Sequence, residues 1–328
     1  MSIIKTPVKI RNLSIESRII MPPMATSKSA DGKVSDELLD YYEKRAQGGY
    51  LGLIITEHCF VSREGQAGAN QVSVAKDEDI EGLSRLARTI KKDGTKAFVQ
   101  INHAGLNGCQ DTVYGPSDLV FPNGKNADKK RITLSKEDIR KVINQFASSA
   151  LRVKKAGFDG VELHCAHGYL LDQFYSPLVN SRQDEYGGSL ENRIRIVLET
   201  IKAVREKVGS DYPLALRLGA CDYGLDGTTI EDSIYAAKQF EKAGIDLLDI
   251  TGGFNGFTRK DVTYPGYFKD ASSAIKKAVD IPVILTGGIS DVKDAEALLD
   301  EKAADLIGVG RALFSDPDWA RNSLYGCI

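Results

Sequence analysis

Apolar residues along this chain gather into eight short runs of five to seven positions, separated by longer stretches in which apolar and polar positions mix. The runs are Ile19–Met24, Leu51–Glu57, Lys96–Asn102, Gly160–His164, Pro213–Gly219, Leu247–Thr251, Pro282–Gly288 and Asp305–Arg311. Runs of this length that stay apolar, rather than alternating, read as strands buried on both faces. The stretches between them, 36–48, 78–94, 135–156, 189–207, 229–243, 267–279 and 292–301, are amphipathic and predict helices. Ser135, Ser189, Thr229 and Ser290 stand where helix N-caps are needed.

Strand and helix alternate to the end of the chain, which predicts an α/β protein of the (β/α)8, or TIM barrel, type. A doubly wound sheet is the rival, but no Gly-x-Gly-x-x-Gly follows the first run and no linker marks a midpoint. One connection is too long for a simple turn. Residues 103–134, with Gly105, Gly108, Gly115, Pro116, Pro122 and Gly124, predict an excursion after strand 3, and 165–188 is similarly extended. Long connections in a compact domain tend to carry binding surfaces.

Composition narrows the class. With 328 residues, 42% hydrophobic and 27% charged, the chain can bury a large core, and residues 1–328 are expected to form one barrel domain. A net charge of −2 and a pI near 6.2 give no footprint for nucleic acid. The N-terminus lacks the apolar stretch of a signal peptide and no run approaches membrane-spanning length. Cysteines 59, 109, 165, 221 and 327 are scattered without a Cys-x-x-Cys pair, against a disulfide framework, a zinc knuckle or an iron–sulfur cluster. A cytoplasmic protein with reduced thiols is expected.

A barrel works at the C-terminal ends of its strands. All four histidines, His58, His103, His164 and His167, fall at such ends, with Glu57 and Gln100 beside them. Arg217, inside the fifth run, either braces the barrel through a carboxylate or faces a ligand. The ends of runs seven and eight bring Gly287, Gly288, Gly310 and Arg311, where backbone N–H groups and a guanidinium suit a phosphate. Tight turns explain either glycine pair alone. At the fourth end, His164, His167 and Tyr169 can hold an anionic oxygen and deliver a proton; a satisfied loop pair or half of a metal site are the alternatives. No nucleophile stands beside a base and no strand ends in lysine, so a phosphorylated cofactor is expected to carry the chemistry.

The stretch His-Cys-Ala-His-Gly-Tyr-Leu-Leu-Asp-Gln-Phe from His164, followed by Ser-Pro, Asn180, Arg182 and Asp184-Glu-Tyr-Gly-Gly-Ser-Leu-Glu-Asn-Arg193, resembles the signature of the Old Yellow Enzyme family. These are flavin-dependent ene-reductases of the NADH:flavin oxidoreductase group. The resemblance runs through essentially the whole chain and implies FMN as bound cofactor, NADH or NADPH as hydride donor, and a small activated alkene as substrate. It implies that Pro23, Met24 and Ala25 lie along the isoalloxazine, with His58 facing the flavin where relatives often carry a small residue. Gln100 and Arg217 would bond the pyrimidine side, and Gly287, Gly288, Gly310 and Arg311 would cradle the phosphate. His164 and His167 would grip the substrate carbonyl, and Tyr169 would protonate the α-carbon. Ala25 departs from the Thr or Cys that many relatives place near flavin C4, with Thr26 next door. The sequence stops at Ile328 without the cysteine cluster and dinucleotide-binding region of the larger relatives, which implies a short stand-alone enzyme. Two other readings stay open: a flavin-binding electron carrier or sensor without an alkene substrate, and a metal-dependent hydrolase using the four histidines. The natural substrate, the choice of nicotinamide and homo-oligomerisation are left open.

Overall fold

The apolar runs become eight parallel strands that close on themselves. In the computed structural model, which describes residues 2–121, 125–224, 226–254 and 256–326, these are β1 (Ile19–Met21), β2 (Leu53–Phe60), β3 (Lys96–Asn102), β4 (Gly160–Cys165), β5 (Leu214–Gly219), β6 (Leu247–Thr251), β7 (Val283–Thr286) and β8 (Leu306–Gly308). Each pairs with its neighbour in chain order and β8 pairs back to β1. Pro122, Gly124 and Cys327 lie outside the described residues.

Alternation along each strand sorts side chains into two cores. Ile20, Leu53, Ile55, Phe98, Ala215, Leu247, Ile284 and Leu306 fill the lower barrel, sealed below by Ile10 and Ile15 of a hairpin (Val8–Ile10 with Leu13–Ile15) that the hydrophobic pattern did not show. Phe98 fits because Gly160, its register partner, has no side chain; a Cβ there would stand 2.5 Å from the Phe98 ring. The opposite strand faces meet the helices α1 (Asp36–Ala46), α2 (Asp79–Lys91), α3 (Lys136–Lys155), α4 (Arg195–Val208), α5 (Ile230–Ala243), α6 (Lys269–Lys276) and α7 (Val292–Asp300).

Ser135 and Thr229 cap α3 and α5 in full capping boxes, which satisfies backbone N–H groups that have no helical partner. Two local expectations need correcting. Stretch 189–207 breaks at Ile194: Ser189 caps a single turn, Leu190–Arg193, and α4 follows. Asp291, not Ser290, caps α7, its carboxylate accepting from the Lys293 N–H at 2.8 Å, while the Ser290 carbonyl accepts from the Trp319 indole. The excursion after β3 holds two short parallel strands, Thr112–Gly115 and Lys130–Thr133. Its Leu106, Val113 and Phe121 form a small core with Leu178, Val179 and Phe254 beside the barrel mouth.

Candidate active site

Three of the four histidines meet above the barrel. His164 is the inward-facing residue at the end of β4, in register with Arg217 on β5. His58 sits on β2 within the register shift between Thr56 and Cys59, an irregularity that re-aims the strand end. His167 adopts a left-handed backbone (φ 60°), a turn that returns its ring to the mouth. The ring centroids of His164 lie 5.1 Å from His167 and 5.0 Å from Tyr169, and His58 lies 5.2 Å from Tyr169 and 6.2 Å from His164. Phe257, 65% exposed, adds a ring 6.0 Å from His167.

Burial keeps the cluster neutral. It pushes His58 down to about 4, and it holds His164 well below the usual imidazole range, with His167, His58 and Arg217 adding repulsion. His167 is depressed in the same way, by burial and then by Arg217 and His58, and burial raises the Tyr169 phenol. Each neutral ring therefore offers one N–H and one lone pair. Thr251 Oγ1 lies 3.0 Å from His167 Nε2, Gln71 Nε2 stands 2.6 Å from His58 Nδ1, and His164 Nδ1 has no partner among the described residues. His103 does not join the group, against the expectation that all four share the rim site. Gln100 and Asn102 point inward, so strand alternation turns His103 the other way. Its Nδ1 accepts the Gly105 N–H at 3.0 Å and its ring packs against Gly65.

Beneath the cluster lies a dry polar layer. Gln100 donates to Glu162 Oε1 at 2.8 Å, and Thr286 donates to Asp249 Oδ1 at 3.2 Å. Arg217 Nη1 stands 3.3 Å from Asp249 Oδ2, an ion pair that is not aligned as a hydrogen bond. The brace considered for Arg217 is thus real, yet its Nε donor has no partner among the described residues although Arg217 is only 3% exposed. Both amide atoms of fully buried Asn102 are also unpartnered. Unmet buried polar groups cost about 1–3 kcal/mol each, which marks a place for a ligand to supply partners.

The far side of the mouth is built differently. Gly288 has φ 70°, and a Cβ on it would stand 2.6 Å from the Tyr267 ring, with Arg311 Nη2 at 3.5 Å. Arg311 is exposed and opens the short helix Arg311–Ser315, where the sequence pattern had extended the eighth strand; β8 stops at Gly308 because Gly310 leaves extended geometry. A Cβ on Gly310 would lie 3.3 Å from Met24 Sδ, so the end of β1 borders the same concavity, with Pro23 half-buried and Ala25 exposed. The Thr26 hydroxyl donates to buried Glu57 at 2.9 Å, and its N–H does so at 2.7 Å.

These features fit FMN: polar atoms of Arg217 and His164 that have no partner among the described residues at one end of a mouth, and a side-chain-free glycine cradle with the exposed Arg311 guanidinium at the other. Among the described residues no group of three or more His, Cys, Asp or Glu is placed to hold a metal ion. Sequence reasoning missed Glu162, Asp249, Thr251, Asn102 and Tyr267. A lone carboxylate in the apolar run Leu-Leu-Asp-Ile-Thr was the available signal for Asp249. Much of the motif after Tyr169 is scaffold. Asn180 donates to the Phe174 and Tyr186 carbonyls, Arg182 to those of Pro116 and Leu134, and Arg193 to those of Tyr175 and Gly188.

Residues 4–326 match the NADH:flavin oxidoreductase / NADH oxidase family. The chain is 39% identical over 332 residues to an NADH oxidase of Thermoanaerobacter brockii, covering 97% of this chain and 50% of that protein, so it spans about half of that relative. It is 38% identical over 322 residues to an NADPH dehydrogenase of Bacillus velezensis, covering 97% of this chain and 93% of that one. The structure of an old yellow enzyme homologue from Zymomonas mobilis superposes with a TM-score of 0.85 at 26% identity, covering 99% of this chain and 93% of that one.

Proposed function

The chain belongs to the NADH:flavin oxidoreductase / NADH oxidase family, FMN barrels served by NAD(P)H, and from that premise we propose that it reduces the activated C=C bond of α,β-unsaturated carbonyl compounds. The observation that carries this reading is the neutral His164–His167–Tyr169 cluster, with the His164 ring centroid 5.1 Å from His167 and 5.0 Å from Tyr169, beside buried Arg217. Bound FMN would take hydride from NADH or NADPH and supply it to the alkene β-carbon.

The chain's own residues then have separable tasks. In the tautomer that serves this role, Thr251 would donate to His167 Nε2 and leave the His167 proton on Nδ1, and a proton on His164 Nδ1 would give a second donor. The pair would bind the carbonyl oxygen and strengthen as it becomes an enolate, the behaviour of an oxyanion hole. Neutral donors suit this role, because they bind the carbonyl without trapping an anionic ligand. Tyr169 Oη would give its proton to the α-carbon; a phenol raised by burial is a weak acid at rest but adequate against a carbanion-like centre. Gln100 and the free Nε of Arg217 would meet the pyrimidine side of the flavin, Pro23, Met24, Ala25 and His58 its other edges, and Gly287, Gly288, Gly310 and Arg311 its phosphate.

The test is an absorption spectrum of the FMN-loaded protein before and after adding a para-substituted phenol, followed by anaerobic mixing with NADH or NADPH and then an enone. A long-wavelength charge-transfer band and enone-dependent reoxidation support the reading. A flavin that nicotinamide reduces and no enone reoxidises favours an electron carrier, an outcome to which Ala25 and the engaged Thr26 hydroxyl lend weight.

A further inference from the structure

Glu162 and Asp249 lie on the two strands that flank Arg217, and neither is explained by substrate binding. Both carboxyls are fully buried, on an apolar floor of Phe98, Ala215, Leu247 and Ile284. Among the described residues, these two carboxyls are the acidic groups of the layer beside the guanidinium. Asp249 is the one in ion-pair range, at 3.3 Å, and Thr286 holds its other oxygen in place. Glu162 is instead held by Gln100 at 2.8 Å, with Oε2 unpartnered. Two carboxylates beside one cation in a dry layer cannot both keep a charge. Burial raises both carboxyls, and Asp249 adds to it at Glu162, which is held well above the usual carboxyl range. Asp249 alone is in ion-pair range of Arg217, which draws it back down, so the pair's proton is assigned to Glu162.

We propose that Asp249 is a positioning residue that acts on the flavin through Arg217, orienting the guanidinium and offsetting its charge from the barrel side, while Glu162 is a neutral spacer. This rests on the reading that places the flavin beside Arg217. A guanidinium already met from below stabilises new negative charge above it less than an uncompensated one would. Asp249 thus keeps the two-electron-reduced cofactor from being bound too tightly, which favours passing the hydride on.

The experiment compares bound and free FMN potentials by anaerobic spectroelectrochemistry, together with the affinity for oxidised FMN, in the wild type, Asp249→Asn, Glu162→Gln and Arg217→Met. Asp249→Asn, which removes charge at constant shape, is expected to favour reduced over oxidised FMN about tenfold more than the wild type does, a rise of about 30 mV for a two-electron couple. Glu162→Gln is expected to stay within about threefold, or roughly 14 mV. Should Asp249→Asn not accumulate as folded protein, Asp249→Ser is measured in its place with the same expectation. If Arg217→Met moves the potential while the Asp249 variant leaves it unchanged or lowers it, the inference is overturned and the placement of the flavin stands. If Arg217→Met changes neither potential nor FMN affinity, the placement itself is wrong. A Glu162→Gln shift as large as that of Asp249→Asn would overturn the spacer role.

Discussion

The two halves of the barrel mouth are built of different materials, and on the proposed reading they solve different problems. On the β4–β6 side, charge and hydrogen bonding come from side chains: His164, Arg217 and Asp249 are almost wholly buried and crowd one another. On the β7–β8 side the wall is nearly bare backbone, Gly287, Gly288 and Gly310, with one exposed guanidinium at Arg311. A phosphate remains charged and partly hydrated, so it needs close N–H groups and long-range attraction. A carbonyl oxygen that gains charge only in passing needs fixed donors in a dry place, where they are worth most. The comparison therefore predicts that damage to the side-chain half will appear in rates and potentials, and damage to the glycine half in cofactor affinity.

The largest effect should follow Tyr169→Phe. Removing a positioned acid typically costs 10²–10⁴-fold, so reoxidation of the pre-reduced protein by an enone should slow on the order of 10²-fold or more. Its reduction by NADH or NADPH should be unchanged in the same stopped-flow experiment. Equal slowing of both halves would remove Tyr169 from its role as acid. Next, His164→Ala should cost about 10²-fold in enone reduction, the usual loss for one oxyanion donor, and should weaken phenol binding while FMN stays bound. His164→Asn keeps an N–H near the same place and should recover part of both. Loss of FMN in either variant would mean that the side-chain half carries the cofactor rather than the chemistry.

Much of this division was visible in the amino-acid order, for a physical reason. Buried parallel strands must be apolar on both faces, so all eight strands stood out as runs, and the polar residues that end or interrupt them, Gln100, His164 and Arg217, stood out against that background. Boundaries fail where backbone chemistry rather than side-chain pattern decides: the apolar pattern runs on to Arg311 although β8 ends at Gly308, and Ser290 looks like the cap although Asp291 is. His103 was misplaced because alternation within a strand is fixed by register, and His103 lies one step out of phase with Gln100 and Asn102. Partners such as Asp249 for Arg217 or Thr251 for His167 were hidden for a third reason. They are distant in sequence and meet only through barrel closure.

A smaller effect separates the two arginines. Arg311→Ala should weaken FMN binding about tenfold at low ionic strength, and the difference should shrink towards 1 M salt, where screening acts within about 3 Å. Arg217→Met should also alter binding, but with little salt dependence, because the pair it belongs to is shielded from solvent. Fluorescence titration of FMN at two salt concentrations distinguishes them. Matching salt slopes would break the contrast between a dry half and a wet half.

The smallest effect concerns pH and belongs to the histidine side alone. His58 titrates near 4 in the folded protein because burial opposes its charge, whereas an unfolded histidine titrates near 6.5. Between these values the unfolded chain binds more protons at this residue than the native one does. The stabilising contribution is therefore complete above about pH 6.5 and is lost as pH falls towards 4, by at most about 1.4 kcal/mol per unit. In a chain of this size that is roughly 2 °C of melting temperature per pH unit. His103, likewise pushed down to about 4, and His164 and His167, both held well below the usual imidazole range, add slopes of their own in the wild type, so the informative quantity is a difference. His58→Asn should be less acid-sensitive than the wild type between pH 6 and 4.5 by about that amount. Asn can still meet the Gln71 amide that now bonds His58 at 2.6 Å, so the comparison isolates the proton rather than the packing. Parallel melting curves for the two proteins across that window would mean that water reaches His58 and that the dry half of the mouth begins deeper, at His164.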